Sequence, residues 1–548
     1  MRFTFTRNHS KKIIKKLFIL FNSTFILISS LLFTQCKSDL NNSQKDNSPI
    51  AVTKYGKVKG YFDKGINAFK GIPYGDNTAK RRFKSPVPPM PWDDIKDATK
   101  FGPIAPQQPL GKSRFFPLST NLAMSEDCLN LNVWTPGLND GKKRPVMVSF
   151  HGGGYSGWTS NLDLFDGVNL CNKGDVVVVT VNHRINGFGY LYLGEIAGKE
   201  YEASGNVGML DLVLALKWIK ENISEFGGNP ENVTIFGESG GGAKCATLMG
   251  MPSAKGLFHK VITQSGQQLT GRTKEHATET AKNILVSLNI SPENIEEIKN
   301  VSMEKLISAM KGNSFTPVTD GIILPRDPFS PDASPISADI PMIMGNNHDE
   351  TRTLIGGRDS TTFNLTWEEL PNKITEHVKQ FIGDLKPETI IDKYKSWYPN
   401  YSATDVFFAA TTAARSWKGM VIESELRAKQ NVAPTYIFQL DWQSPVDGGK
   451  WKAPHGLDIP LVFNNIEYGK SMTGVSPEAQ QMADIMSEAW IAFARTGNPD
   501  TPNIPHWPRF ELENRPTMVF DLPSKVENDP RGNERKLFAP VKYIQPGT

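Results

Sequence analysis

Between Val233 and Met249 the chain passes from strand to helix without a linker. Val233, Thr234 and Ile235 form a β-branched run, Phe236-Gly237-Glu238-Ser239-Gly240-Gly241-Gly242 follows as a glycine-rich turn, and residues 243–249 suit a helix. The Gly-x-Ser-x-Gly spacing meets the needs of a sharp strand-to-helix turn. The serine takes a strained conformation with its Oγ exposed, and the glycines two residues either side let other backbones approach. The helix that follows aims its N-terminus and free N–H groups at the same point. A glycine-rich loop that only caps a helix would satisfy the same five residues, so the turn acquires meaning from its partners.

The same change of period recurs along the chain. Apolar strands at 146–150, 176–181, 233–236, 261–264, 342–344 and 435–440 alternate with helical stretches. That order implies crossover connections and an α/β fold with a large, mostly parallel central sheet flanked by helices. Leu212, Leu216, Ile219 and Ile223 trace a helical stripe just before the Ser239 strand. The chain has 548 residues, a length that α/β enzymes with large sheets reach as one unit. With no internal repeat or low-complexity linker inside 51–540, residues 51–548 read as a single catalytic domain.

A serine needs a base, a group to orient the base, and donors for an oxyanion before it can attack a carbonyl. The donors come first. The strand at 145–150 runs into His151-Gly152-Gly153-Gly154-Tyr155, whose bare amides leave room for a carbonyl oxygen. A phosphate cradle is disfavoured because no Lys-Ser/Thr follows the glycines. Downstream, the strand at 342–345 ends in Asn346-Asn347-His348-Asp349-Glu350, and Ala453-Pro454-His455-Gly456 sets a histidine in a turn. The order Ser239, Glu350, His455 is that of an α/β-hydrolase triad. Four competitors stand beside it. Asp349 adjoins Glu350, His348 is too close in sequence to Glu350 to meet it tip to tip, His506 lies in a proline-rich segment, and His151 precedes the serine and reads as a wall residue.

Further stretches carry a family resemblance: Phe69-Lys70-Gly71-Ile72-Pro73-Tyr74-Gly75, Glu126-Asp127-Cys128-Leu129-Asn130-Leu131-Asn132-Val133, Asn182-His183-Arg184, Gly205-Asn206-Val207-Gly208-Met209-Leu210-Asp211, Phe226-Gly227-Gly228-Asn229-Pro230 and the run from Trp490 to Pro499. Over roughly residues 51–540 the chain resembles the type-B carboxylesterases, which include cholinesterases, liver-type carboxylesterases and bacterial para-nitrobenzyl esterases. The resemblance implies a serine carboxylesterase with Ser239 as acyl-forming nucleophile, Glu350 (not Asp349) as acid and His455 as general acid/base. It further implies Gly153, Gly154 and Gly240 as oxyanion donors, Ser265 as a hydrogen-bond partner of the acid, for which a plain strand-end turn residue is the alternative, and structural pairs Arg82–Glu126 and Arg184–Asp211.

Two departures from the family pattern stand out. Gly240 replaces the usual alanine after the nucleophile, which implies a less rigid elbow. No cysteine lies between Cys36 and Cys128, so the disulfide of many secreted relatives is missing. Alternatives within the resemblance are a lipase acting on longer-chain glycerides, with residues 110–122 (including Phe115 and Phe116) as a lid, and a non-catalytic cholinesterase-like adhesion module. An intact triad argues against the latter. Tyr155, Trp158 and Phe165 are candidates for an acyl or alcohol pocket, or for ordinary packing.

The formal net charge of +4 has a local source. Arg2, Arg7, Lys11, Lys12, Lys15 and Lys16 sit in a leader with no acid, and without them acids slightly outnumber bases. Nucleic-acid binding therefore has no electrostatic footprint, and the expected partner is a small-molecule ester. The basic start and the apolar run at 17–33 read as a signal peptide over 1–35, with an uncleaved anchor as the alternative. Leu31-Leu32-Phe33-Thr34-Gln35-Cys36 resembles a bacterial lipobox, although Gln35 departs from the usual small residue. Residues 36–50, rich in polar residues, suit a disordered tether from lipidated Cys36 to the membrane. Export as a cell-envelope lipoprotein is the expectation, with plain secretion or a periplasmic location next. Cys128, Cys171 and Cys245 read as unpaired, no His/Cys spacing resembles a zinc site, and the chemistry calls for no metal or organic cofactor.

Overall fold

The computed structural model describes residues 47–109, 115–116 and 122–546. The leader, Cys36 and most of the 36–50 segment lie outside them, as does most of the 110–122 segment apart from Phe115, Phe116 and Leu122. Residues 49–548 group as one unit. Fourteen strands occur among the described residues: β1 (Ile50–Thr53), β2 (Gly56–Lys59), β3 (Tyr61–Asp63), β4 (Ile66–Pro73), β5 (Lys96–Asp97), β6 (Asn130–Thr135), β7 (Arg144–Phe150), β8 (Val177–Val181), β9 (Gly228–Glu238), β10 (Lys260–Gln264), β11 (Met342–Asn347), β12 (Thr435–Leu440), β13 (Pro516–Phe520) and β14 (Lys525–Asn528).

Eleven of them form the central sheet in the order β14-β13-β12-β11-β10-β9-β7-β8-β6-β4-β3, and β1, β2 and β5 make a small separate one. The six strands from β8 through β7, β9, β10 and β11 to β12 run parallel, and β13 joins them in parallel on β12. The antiparallel pairs are confined to the two flanks. Parallel strands are covered on both faces and so read as continuous apolar runs, which is why β7 and β8 are buried at every residue. Alternate side chains supply two cores. Val146, Val148 and Phe150 enter one cluster and Met147 the other.

The helix before the elbow, α1 (Val207–Asn222), buries Leu212, Leu216 and Ile219 as its stripe requires, and Ile223 follows in a 3₁₀ turn. Buried ion pairs fasten the loops. Arg184 meets Asp211 at 2.6 Å and Arg82 meets Glu126 at 2.7 Å, with Val301 O also accepting from Arg82. Removing one partner of such a pair strands the other charge at a cost of about 3–5 kcal/mol.

Register brings the site together. Phe150 of β7 lies opposite Gly237 of β9, Glu238 opposite Gln264 of β10, and Gln264 opposite Gly345 of β11. The carboxyl ends of four parallel strands therefore finish side by side. Strand order also reverses at β7, with β8 on one side and β9 on the other. In open α/β sheets, such a reversal opens a crevice beyond the strand ends.

Candidate active site

Ser239 follows β9 with φ 55° and ψ −126°, a conformation that L-residues hold only when their surroundings enforce it. Enforcement comes from both sides. Ser239 N donates to Gln264 O at 2.7 Å, and Ala243 N donates back to Ser239 O at 3.0 Å as α2 (Gly240–Leu248) begins. A Cβ on Gly241 would sit 2.0 Å from Phe150 O, so only glycine lets α2 lie over the end of β7. The elbow expected from the sequence is formed.

The glycines after β7 abut this elbow. Gly153 and Gly154 have φ 78° and 60°, and their amides donate to no backbone carbonyl among the described residues. Gly240, as the first residue of α2, presents an amide with no intrahelical acceptor. A Cβ at Gly240 would meet Gly154 O at 2.2 Å. The alanine usual in the family would therefore displace this loop, so Gly240 is tied to the loop's position and not only to flexibility.

Lys244, one turn into α2 and fully buried, donates to His151 O at 3.0 Å and Gly154 O at 2.7 Å, pinning the same loop. Burial pulls its pKa down to about 7. The role of Lys244 is not evident from the sequence pattern around it. The available signal was a single cation inside the otherwise small and apolar Ala243-Lys244-Cys245-Ala246. His151 is buried with its ring 4.8 Å from that of His183, and burial holds both imidazoles neutral. His151 does not line the cavity around Ser239, in contrast to the wall position expected from the sequence.

Glu350 stands just beyond β11, fully buried and fully used. Its Oε1 accepts from Ser265 Oγ, from Asn347 N at 2.9 Å and from Asn346 Nδ2 at 3.2 Å, while Oε2 meets His455 Nδ1. Burial alone would raise this carboxyl, but His455 and the donated hydrogen bonds outweigh it and hold the pKa below the usual value. The His455 turn is bolted to β11. Asn347 Nδ2 donates to Pro454 O at 2.7 Å and to Asp458 Oδ1 at 3.1 Å, and Asp349 N donates to Ala453 O at 2.8 Å.

The other ring nitrogen meets a residue that the sequence did not flag. His455 Nε2 lies 3.2 Å from Glu238 Oε1, and no hydrogen bond joins it to Ser239 Oγ among the described residues. Burial pushes Glu238 up to about 8 against the pull of His455. For His455, burial pulls the pKa down, but Glu238 and then Glu350 override it and push it up to about 9. The two groups compete for one proton and titrate as a pair.

The competitors have other employment. Asp349 pairs with His348 at 3.0 Å and Arg352 at 3.2 Å, and His506 is an exposed partner of Asp500. Ser239, His455, Gly153, Gly154, Gly240 and Ser265 line one cavity of about 1260 Å³. Tyr155 and Trp158 also line it. Phe165 does not, and packs instead against Phe463 with ring centres 5.6 Å apart. Phe115 and Phe116 reach the cavity from the 110–122 segment. Cys128, Cys171 and Cys245 are buried free thiols. Away from the cavity, Asp359, Glu376 and His377 have ligand-like spacing, but the Lys373 ammonium already sits 2.9 Å and 3.0 Å from the two carboxylates.

A serine on a strained strand-to-helix turn, beside bare amides and an imidazole backed by a carboxylate at the ends of a parallel sheet, defines an α/β-hydrolase. The comparisons with known proteins narrow the class. Residues 47–538 match the Carboxylesterase family, and the chain belongs to it. It is 36% identical to the para-nitrobenzyl esterase of Bacillus subtilis (strain 168) over 510 residues, covering 90% of this chain and 99% of that protein. Identity to the phenmedipham hydrolase of Pseudarthrobacter oxydans is 30%, covering 88% and 97%. The crystal structure of the Geobacillus stearothermophilus carboxylesterase EST55 at pH 6.2 superposes with a TM-score of 0.78 at 36% identity, covering 89% of this chain and 99% of that one. The chain is a serine carboxylesterase that hydrolyses carboxylic esters.

Proposed function

We propose that Ser239 is the nucleophile, His455 the general acid/base, Glu350 the acid that orients it, and Gly153, Gly154 and Gly240 the oxyanion donors. The observation that carries this reading is the strained Ser239 backbone in one cavity with a His455 that Glu350 holds by Nδ1. His455 Nε2 takes the serine proton as Oγ attacks the ester carbonyl, and the oxyanion forms against the glycine amides. Glu350 stabilises the imidazolium, the alcohol leaves with the proton from His455, and water repeats the sequence on the acyl-enzyme. In the resting state Nε2 faces Glu238, and it turns to Ser239 Oγ as substrate fills the cavity. Catalytic hydrogen bonds commonly tighten only in the substrate complex. Neutral His455 is the working form, reached as rising pH removes the proton it shares with Glu238.

Esters with an aromatic part, of the kind for which the Bacillus relative is named, suit the Phe115, Phe116 and Trp158 wall. The test is a chain-length panel of aryl and glyceryl esters on wild type and Ser239→Ala. Turnover of the short aryl esters, lost in Ser239→Ala, is expected, whereas near-normal turnover by the variant would reject the mechanism.

The leader adds a location. Its basic start, apolar run and Cys36 support export with residues 1–35 removed and Cys36 lipidated, leaving residues 36–50 as a tether for the catalytic domain of 51–548. Radiolabelled palmitate attached in wild type and absent from Cys36→Ser is the expected outcome. Equal labelling of both would exclude lipidation at that residue.

A further inference from the structure

The cavity that holds Ser239 also holds two guanidiniums. Arg415, half-buried, lies on the π-helical turn Thr412–Trp417, and Arg358 lies exposed at the rim. Neither makes an ion pair among the described residues. The hydrogen bond from Arg415 Nη1 goes to a neutral group, Ser416 Oγ, at 3.1 Å.

The nearby acids are committed elsewhere. Glu350 is saturated by His455, Ser265, Asn346 and Asn347. Asp349 serves His348 and Arg352, Asp405 serves Arg352 and Lys452, and Asp359 serves Lys373 and His377. Among the residues lining the cavity, Glu238 alone carries a carboxyl, and it is turned to His455. Glu350 attracts the Arg415 guanidinium without pairing with it, its oxygens being bonded elsewhere, and a guanidinium drawn partly out of water with no ion-pair partner is costly unless an anion arrives. Burial already pulls the Arg415 pKa down.

Another part of the lining has the opposite character. Phe116 and Trp158 meet edge to face with centres 5.1 Å apart, and Phe115 meets Trp451 at 5.5 Å. The space, about 1260 Å³, exceeds what a short neutral ester fills.

We propose that the preferred substrates are esters with a carboxylate on one side of the scissile bond and an apolar or aryl group on the other, the carboxylate being held by Arg415 and Arg358. The inference rests on Ser239 as the nucleophile. Guanidinium suits this task because its planar fork takes both oxygens of a carboxylate. Ser239 Oγ displaces the alcohol from the acyl carbon and water then releases the acid from the acyl-enzyme, as for any substrate, so an anion on the acyl side leaves as a dicarboxylate.

Two matched pairs of probes test the proposal: 4-nitrophenyl hydrogen adipate against 4-nitrophenyl hexanoate, with the charge on the acyl side, and 4-acetoxybenzoate against phenyl acetate, with the charge on the alcohol side. Expected is a kcat/KM about tenfold or more higher for the anionic member of one pair, expressed mainly in KM and eroded by about 1 M salt. Arg415→Gln and Arg358→Gln each shrink that ratio, and Arg415→Lys keeps part of it. Wild type that prefers the neutral member of both pairs overturns the proposal, as does a preference that survives both glutamine variants. Failure of the Ser239 assignment reads differently, as Ser239→Ala turning over the neutral esters like wild type.

Discussion

The catalytic end of the sheet and the wall of the cavity above it are built in contrasting ways. Ser239, the 152–154 glycines, Ser265 and Glu350 each lie at or within a few residues of the end of one of four adjacent parallel strands, so sheet register sets their spacing. The wall draws on Phe115, Phe116, Arg358, Arg415 and Trp451, from segments that join or flank the strands. The first region resists change because moving one member breaks a ladder. The second can change residue by residue without disturbing the sheet, which is where selectivity among esters can be tuned.

Substitutions can break this contrast or sharpen it. The largest effect belongs to the relay at the sheet end. His455→Ala is expected to lower kcat by about 10⁴–10⁶, since members of such a unit fail together, and steady-state kinetics on a short aryl ester would show it. Gly240→Ala comes next, because its Cβ would drive Gly154 O away. A loss of about 10²–10³ in kcat, equal to that of one oxyanion donor, is expected with little change in KM. Lys244→Met releases the same loop less directly and should cost roughly tenfold in kcat, below the loss of a donor itself.

A smaller, diagnostic effect concerns pH. With neutral His455 as the proposed base, activity rises as pH climbs through its folded pKa. Glu238 is the foremost of the groups that raise that pKa to about 9. Glu238→Gln should therefore move the acidic limb of the kcat/KM profile from about 9 toward the ordinary 6.5. An unmoved limb would mean that Glu238 does not govern the proton. Smallest of all, Phe116→Ala in the wall should alter KM among ester chain lengths by a few-fold while kcat holds, because it removes apolar contact and no catalytic group. A large kcat loss there would erase the distinction between the two regions.

The same distinction explains what was legible in the sequence. Strand-end chemistry is written in short contiguous patterns: β-branched runs broken by Gly237-Glu238-Ser239 or by His151-Gly152-Gly153-Gly154 declare strand, turn and role together. The strands from β7 to β12 emerge from apolar runs, whereas β3, β4, β13 and β14 at the flanks do not, because their polar or irregular composition reads as loop. The partners that depend on distance in the fold were silent. Glu238 looks like filler inside the serine motif until His455 arrives from 217 positions downstream. Lys244 looks like a solvated helix residue until the 151–154 loop covers it. Phe165 shows the reverse, an aromatic residue near the motif that belongs to the core.

The central claim is that three side chains distant in sequence act on one ester through Ser239 Oγ. The most direct measurement is to react the purified enzyme with a fluorophosphonate, which phosphonylates activated serines, and to locate the adduct by peptide mass spectrometry. The expected result is a single adduct on Ser239, formed in step with loss of ester turnover and suppressed in His455→Ala. An adduct on another serine that abolishes turnover while Ser239 remains unmodified would contradict it.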